Sequence, residues 1–132
     1  DGNSDLDDLL GEVVTKQGRV LVPNSRPERG SIYRADNFEF SKVGVPALYT
    51  GRGRDFPGQP GFGAAKMAEF VAKHYHQPSD EVDPGWDLSG AAQDVQAMFE
   101  VGYEVANTEK LPAWQPGNEF KAKRAAGLTT KP

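Results

Sequence analysis

The chain has 132 residues, a formal net charge of -4 and no cysteine, and its pI is about 5.1. An acidic chain of this size makes one domain and not an electrostatic binder of nucleic acid. The lack of cysteine excludes disulfides and thiolate metal sites. No apolar run approaches the roughly 18 residues that signal a membrane span. Charge is uneven: acidic residues gather at Asp1, Asp5, Asp7, Asp8 and Glu12, and basic ones at Lys121, Lys123, Arg124 and Lys131. Two solvated ends are the simplest reading of that asymmetry.

Residues 4 to 17 predict an amphipathic helix, because Leu6, Leu9, Leu10, Val13 and Val14 recur at three- and four-residue spacing. Ser4 and Asp7 have capping-box spacing, and Gly18 is a natural stop. "RVLV", 19 to 22, and "VPALYT", 45 to 50, read as two short strands, with a short helix over residues 37 to 43 between them. Residues 51 to 63 are a glycine- and proline-rich loop, in which Arg52 and Arg54 are solvated or meet an anion. Helices are predicted over 65 to 74 and, more strongly, over 88 to 106, where the apolar period holds for roughly five turns behind Asp87 as cap. From Leu111 onward Pro112 and Pro116 predict an extended, weakly ordered tail.

These elements sum to an α/β chain of about two strands and four helices. Two strands are too few to cover so many helices, so the expected fold is incomplete.

Both histidines lie in "KHYHQPSD", residues 73 to 80. An extended His-x-His puts two imidazoles on one side of the backbone, and Asp80 offers a carboxylate. Zinc takes at least three protein ligands, so His74, His76 and Asp80 form one possible set. The other reading is a polar turn, with His74 facing solvent at a helix end and His76 hydrogen-bonded in a loop. There is no HExxH, no nucleophile triad pattern, and no glycine loop leading into a helix that would cradle phosphate.

"YHQPSDEVDPGWDLSGAAQD", preceded by "SDLDDLL", "RVLVPNSRPERG" and "YRADNFEFSKVGVPALYTG", resembles the C-terminal part of the zinc metallopeptidases of family twenty-eight, over residues 1 to 124. These are two-zinc aminopeptidases and their glutamate-carboxypeptidase relatives. "RADNFEF" departs from the family's Arg-Ser-Asp-His-x-x-Phe segment at Ala35 and Asn37. The resemblance implies a portion of a mixed-sheet zinc-exopeptidase fold, with residues 1–110 the C-terminal part of a catalytic domain and 111–132 a tail. It implies that His76 binds one zinc, that the Tyr75 hydroxyl serves the developing oxyanion, and that Arg34 lies near the substrate. Asp80 falls at the motif's last acidic position, in a supporting role, and His74 matches nothing fixed. A peptide is the implied substrate, and a periplasmic or secreted location the implied compartment.

The same resemblance exposes what is missing. The family's other zinc ligands and its general base come from a His-x-Asp pair, a bridging aspartate and a Glu-Glu pair. This chain has no histidine before residue 74 and no Glu-Glu pair. The expectation is a peptidase portion, inactive by itself, able to self-associate through exposed sheet surface. A non-catalytic binding or assembly module on the same framework is the alternative.

Overall fold

In the computed structural model, which describes residues 4–129, the chain is helical. Its α-helices are α1 (Asp5–Lys16), α2 (Phe38–Lys42), α3 (Phe62–Lys73), α4 (Ser89–Asn107) and α5 (Lys121–Thr129), with 3-10 turns at Pro27–Arg29 and Ser31–Arg34. Among the described residues there is no β-sheet, and isolated bridges join Ser4 to Trp114 and Phe56 to Gln59. The expected mixed-sheet α/β fold with two strands is therefore corrected: the described residues form helices without a sheet.

The reason lies in "RVLV" and "VPALYT". Both carry strand-forming residues, yet a strand is stabilised by pairing with a neighbour and by packing of its faces. Neither segment pairs here. Val20 is 83 % exposed, and Val22, Val45 and Tyr49 are also exposed. The main chain of Val20, Leu21 and Val22 makes no hydrogen bond to other described residues.

The chain divides into two compact units, residues 1–50 with 93–132, and residues 51–92. The first holds the buried core. Leu10, Val13 and Val14 of α1 pack against Ala97 and Val101 of α4, with Leu9, Leu48 and Val105 at its margin. The spacing of these residues makes one apolar stripe on each helix, so burial follows from the helical period. At its start, the Ser4 N–H donates to the Asp7 carboxylate at 3.1 Å, which satisfies one of the donors a helix end leaves open. At its end, the Arg19 guanidinium pairs with Asp94 of α4, and the Gln17 amide donates to the Gln93 carbonyl at 3.1 Å.

Residues 111–129, read from sequence as an extended tail, instead contain α5 and a buried anchor. Trp114 is 3 % exposed. Asp5 and Ala113 exchange hydrogen bonds: the Asp5 N–H donates to the Ala113 carbonyl and the Ala113 N–H donates to the Asp5 carboxylate. The rings of Tyr33, Phe38, Phe120 and Trp114 then form a continuous run, with successive centroids 5.3, 6.1 and 5.4 Å apart. Prolines at 112 and 116 stop helix α4 from continuing, but they leave the segment free to pack.

The second unit is built on α3. Phe56 and Phe62 stack edge to face at 5.2 Å, closing the loop that precedes the helix. Glu69 sits between Lys66 and Lys73, accepting from both at 3.3 and 2.9 Å. Those two ammonium groups hold the Glu69 carboxyl below its ordinary range, chiefly through the Lys73 and Lys66 hydrogen bonds. After the turn that follows α3, the Asp87 carboxylate accepts the Ser89 N–H at 2.9 Å, and this bond lowers its pKa. Asp87 thus satisfies the N–H of the first residue of α4 from two positions before it, while the first helical carbonyl acceptor is that of Leu88.

Candidate functional site

The histidine pair sits where α3 ends. Lys73 is the last helical residue, and the helix closes with the N–H groups of both His74 and Tyr75 donating to the Phe70 carbonyl, at 2.8 and 3.0 Å. A turn follows, in which the Gln77 N–H donates to the His74 carbonyl and the Asp80 N–H to the Gln77 carbonyl. Pro78 cannot extend the helix, and Gln, Pro and Ser in succession favour the turn.

Within that turn His76 has φ of 59°. Left-handed backbone costs an L-residue with a Cβ about 1–2 kcal/mol. Such conformations gather at active sites and ligand clamps, where surrounding structure holds them in place. What holds this one includes the Tyr75 ring, which stacks on the imidazole at a centroid distance of 3.9 Å and an interplanar angle of 22°. Tyr75 in turn lies beside the Phe70 ring at 6.3 Å. Tyr75 and His76 are both exposed, so their polar atoms face solvent or an incoming group.

His74 stands at the end of α3, as the polar-turn reading had it, but is only half-exposed rather than facing solvent freely. It is the less exposed of the two histidines. Its ring stacks on Phe70 at 6.2 Å, and its Nδ1 lies 3.1 Å from the Ser79 hydroxyl. Ser79 was not legible as a site residue; the available signal was a turn-forming serine directly after Pro78.

Arg34 belongs to the first unit. It ends the 3-10 turn Ser31–Arg34, and its guanidinium donates to the Arg29 carbonyl at 3.4 Å. The geometry therefore joins Tyr75 to His76, sets His74 with Ser79, and leaves Arg34 in its own local turn. Asp80 is exposed. Among the described residues no three His, Asp or Glu side chains converge as a metal set. The His74, His76 and Asp80 set allowed by spacing is thus not assembled among the described residues.

The sequence profile of peptidase family M28 matches residues 1–100. No curated protein matches the chain, and no solved structure matches it. No helix among the described residues is long and apolar enough to cross a membrane.

Proposed function

The chain belongs to peptidase family M28, and from that premise we propose that it is a portion of a zinc-dependent exopeptidase of the aminopeptidase type. Its peptidase origin rests on the family match. The single observation that carries the finer reading is the left-handed His76 stacked on Tyr75. A strained, solvent-facing histidine beside a solvent-facing phenol is an arrangement that packing alone does not require.

In this reading His76 contributes one metal ligand through an imidazole nitrogen. Tyr75 aims its hydroxyl at the oxygen where charge develops as a peptide carbonyl is attacked, and a fixed donor there lowers the barrier. The shared stack fixes both rings together, so ligand and donor keep one relative geometry. Arg34 is retained as a substrate-side residue on the resemblance alone.

The family is generally zinc-dependent, but the described residues do not fit a metal site. A catalytic zinc needs three protein ligands, and among the described residues no group of three His, Asp or Glu side chains is gathered to hold one. In the reading proposed here the remaining ligands and the general base come from other sequence, because the Glu-Glu pair and the earlier histidine of the family pattern are not in this chain. Location outside the cytoplasm, periplasmic or secreted, belongs to the same proposal and rests on the family alone.

A second reading, an assembly module, is favoured by α4. Val95, Phe99 and Tyr103 share its outward face and are all exposed, Phe99 by 68 %. Helices apolar on nearly all sides are usually covered. The deciding experiment is zinc binding and peptidase assay of the chain alone and after combination with a family member's metal-ligand half. Zinc uptake and turnover that depend on both pieces and on His76 support the first reading. Association without either supports the second.

A further inference from the structure

His74 is the histidine that the family resemblance leaves without a role, and its surroundings give it one. The Ser79 hydroxyl makes two contacts: it donates to the Lys73 carbonyl at 3.2 Å, and it lies 3.1 Å from His74 Nδ1. A hydroxyl has a single proton. With that proton on the Lys73 carbonyl, the second contact requires Nδ1–H of His74 as the donor. The contacts thus place a proton on Nδ1, and a closed chain results: imidazole N–H to hydroxyl to helix carbonyl.

This chain spans the strained residue. His74 and Ser79 lie on opposite sides of His76, and Lys73 is the last residue of α3. Ser79 closes the turn back onto the helix end, and satisfies one of the carbonyls that a helix C-terminus leaves open. His74 is itself pinned from the other side by the Phe70 ring, whose own carbonyl receives the N–H groups of His74 and Tyr75. Positive φ is uncommon for a residue with a Cβ, although histidine adopts it more often than most, and such closure helps to hold His76 there.

We propose that His74 and Ser79 are positioning residues, which hold the turn 74–80 closed on α3 and so present Tyr75 and His76 as a stacked, pre-set pair. The value of this presentation to catalysis rests on the function proposed above; the mechanical role does not. Preorganisation of this kind matters because a misplacement of about 1 Å in a reacting group can cost about 10²-fold in rate.

The test is NMR on the full chain, reading the ring-current displacement of the His76 imidazole protons caused by the Tyr75 ring. Ser79→Ala removes the central hydroxyl and should abolish the displacement, whereas Ser79→Thr keeps the hydroxyl and should restore it. At residue 74 the position of the donor is diagnostic. His74→Asn places an amide N–H close to where Nδ1–H was and should retain the stack; His74→Gln reaches too far and should lose it. The indole N–H resonance of Trp86, in the same unit as the substitutions, reports in each variant whether that unit remains folded, and the resonance of buried Trp114 does so for the first unit. Unchanged His76 resonances in both Ser79→Ala and His74→Gln overturn the proposal. Loss of the stack in Ser79→Thr and His74→Asn as well also overturns it, since it points to general packing rather than these hydrogen bonds. So does global unfolding of every variant. Adding zinc chloride to the wild-type chain combined with the metal-ligand half addresses the other reading separately: no zinc-dependent shift at His76 counts against the metal role and leaves the positioning role standing.

Discussion

The Trp114 indole N–H donates to the Gly44 carbonyl at 3.0 Å, across 70 positions of sequence and away from solvent. Gly44 has φ of 88°, and a Cβ there would overlap the backbone of Lys123 and Arg124, with Lys123 C at 2.6 Å. One turn residue thus accepts the anchor of the C-terminal segment and also makes room for the start of α5.

Trp114→Phe keeps most of the ring and loses the donor, leaving a buried carbonyl without its partner. Equilibrium unfolding should show a loss of about 1–3 kcal/mol. Gly44→Ala should cost more, because positive φ and backbone overlap combine in it. The reverse order of the two variants would mean that the approach of residue 124 is not tight.

Leu10 and Phe99 should respond in opposite ways. Leu10 is in the core between α1 and α4, so Leu10→Ala should lower unfolding stability by about 2–5 kcal/mol. Phe99→Ser should leave stability nearly unchanged and reduce self-association, seen as a smaller average mass in light scattering at high concentration. An associated Phe99→Ser chain would move the interface elsewhere.

His76→Ala and His76→Gly both remove the ring, and differ only in backbone freedom. The glycine variant should be the more stable of the two, by up to about 1 kcal/mol, as left-handed strain is relieved and partly offset by unfolded-state entropy. Equal stability would show that the turn relaxes once the ring is gone. In the combined enzyme either change should lower zinc affinity, while Tyr75→Phe should keep zinc and lose about 10²-fold in kcat.

The Tyr33 hydroxyl donates to the Glu119 carboxylate at 2.6 Å. That bond, and the negative charge behind it, raise the phenol pKa above its ordinary value. A raised folded pKa means that the contribution is fully present below the unfolded value near 10 and is lost as pH rises through the folded one. In an absorbance titration Tyr33 should therefore ionise above the ordinary phenol range, and Glu119→Gln should bring it back toward that range. For Glu69 the sign is opposite: its lowered pKa gives a contribution present above the ordinary carboxylate range and lost as acid protonates it, and Glu69→Gln should remove that dependence from α3.

Much of the helical content was legible. The predicted spans 4–17, 37–43, 65–74 and 88–106 correspond to α1 through α4, because periodicity and capping are local properties of sequence. "RVLV" and "VPALYT" misled because strand pairing is a relation between segments, and no described segment pairs with them. Residues 111–129 misled because proline forbids continuation of a helix without forbidding a packed course, and because Trp114 finds its acceptor far away in sequence. At the candidate site, the Tyr75–His76 adjacency was plain in the text. The left-handed turn and the Ser79 contact were not, since both depend on how α3 ends.

The two tryptophans fall one in each unit: Trp114 is sequestered, while Trp86 is 50 % exposed. Their emission should therefore separate spectrally, with a blue component from residue 114 and a red, quencher-accessible component from residue 86. Acrylamide would extinguish the second first. A Trp86→Phe chain would carry a lone optical probe of the first unit, and a Trp114→Phe chain one of the unit that holds His76. Denaturation followed with each in turn would then reveal whether the two units melt together or apart.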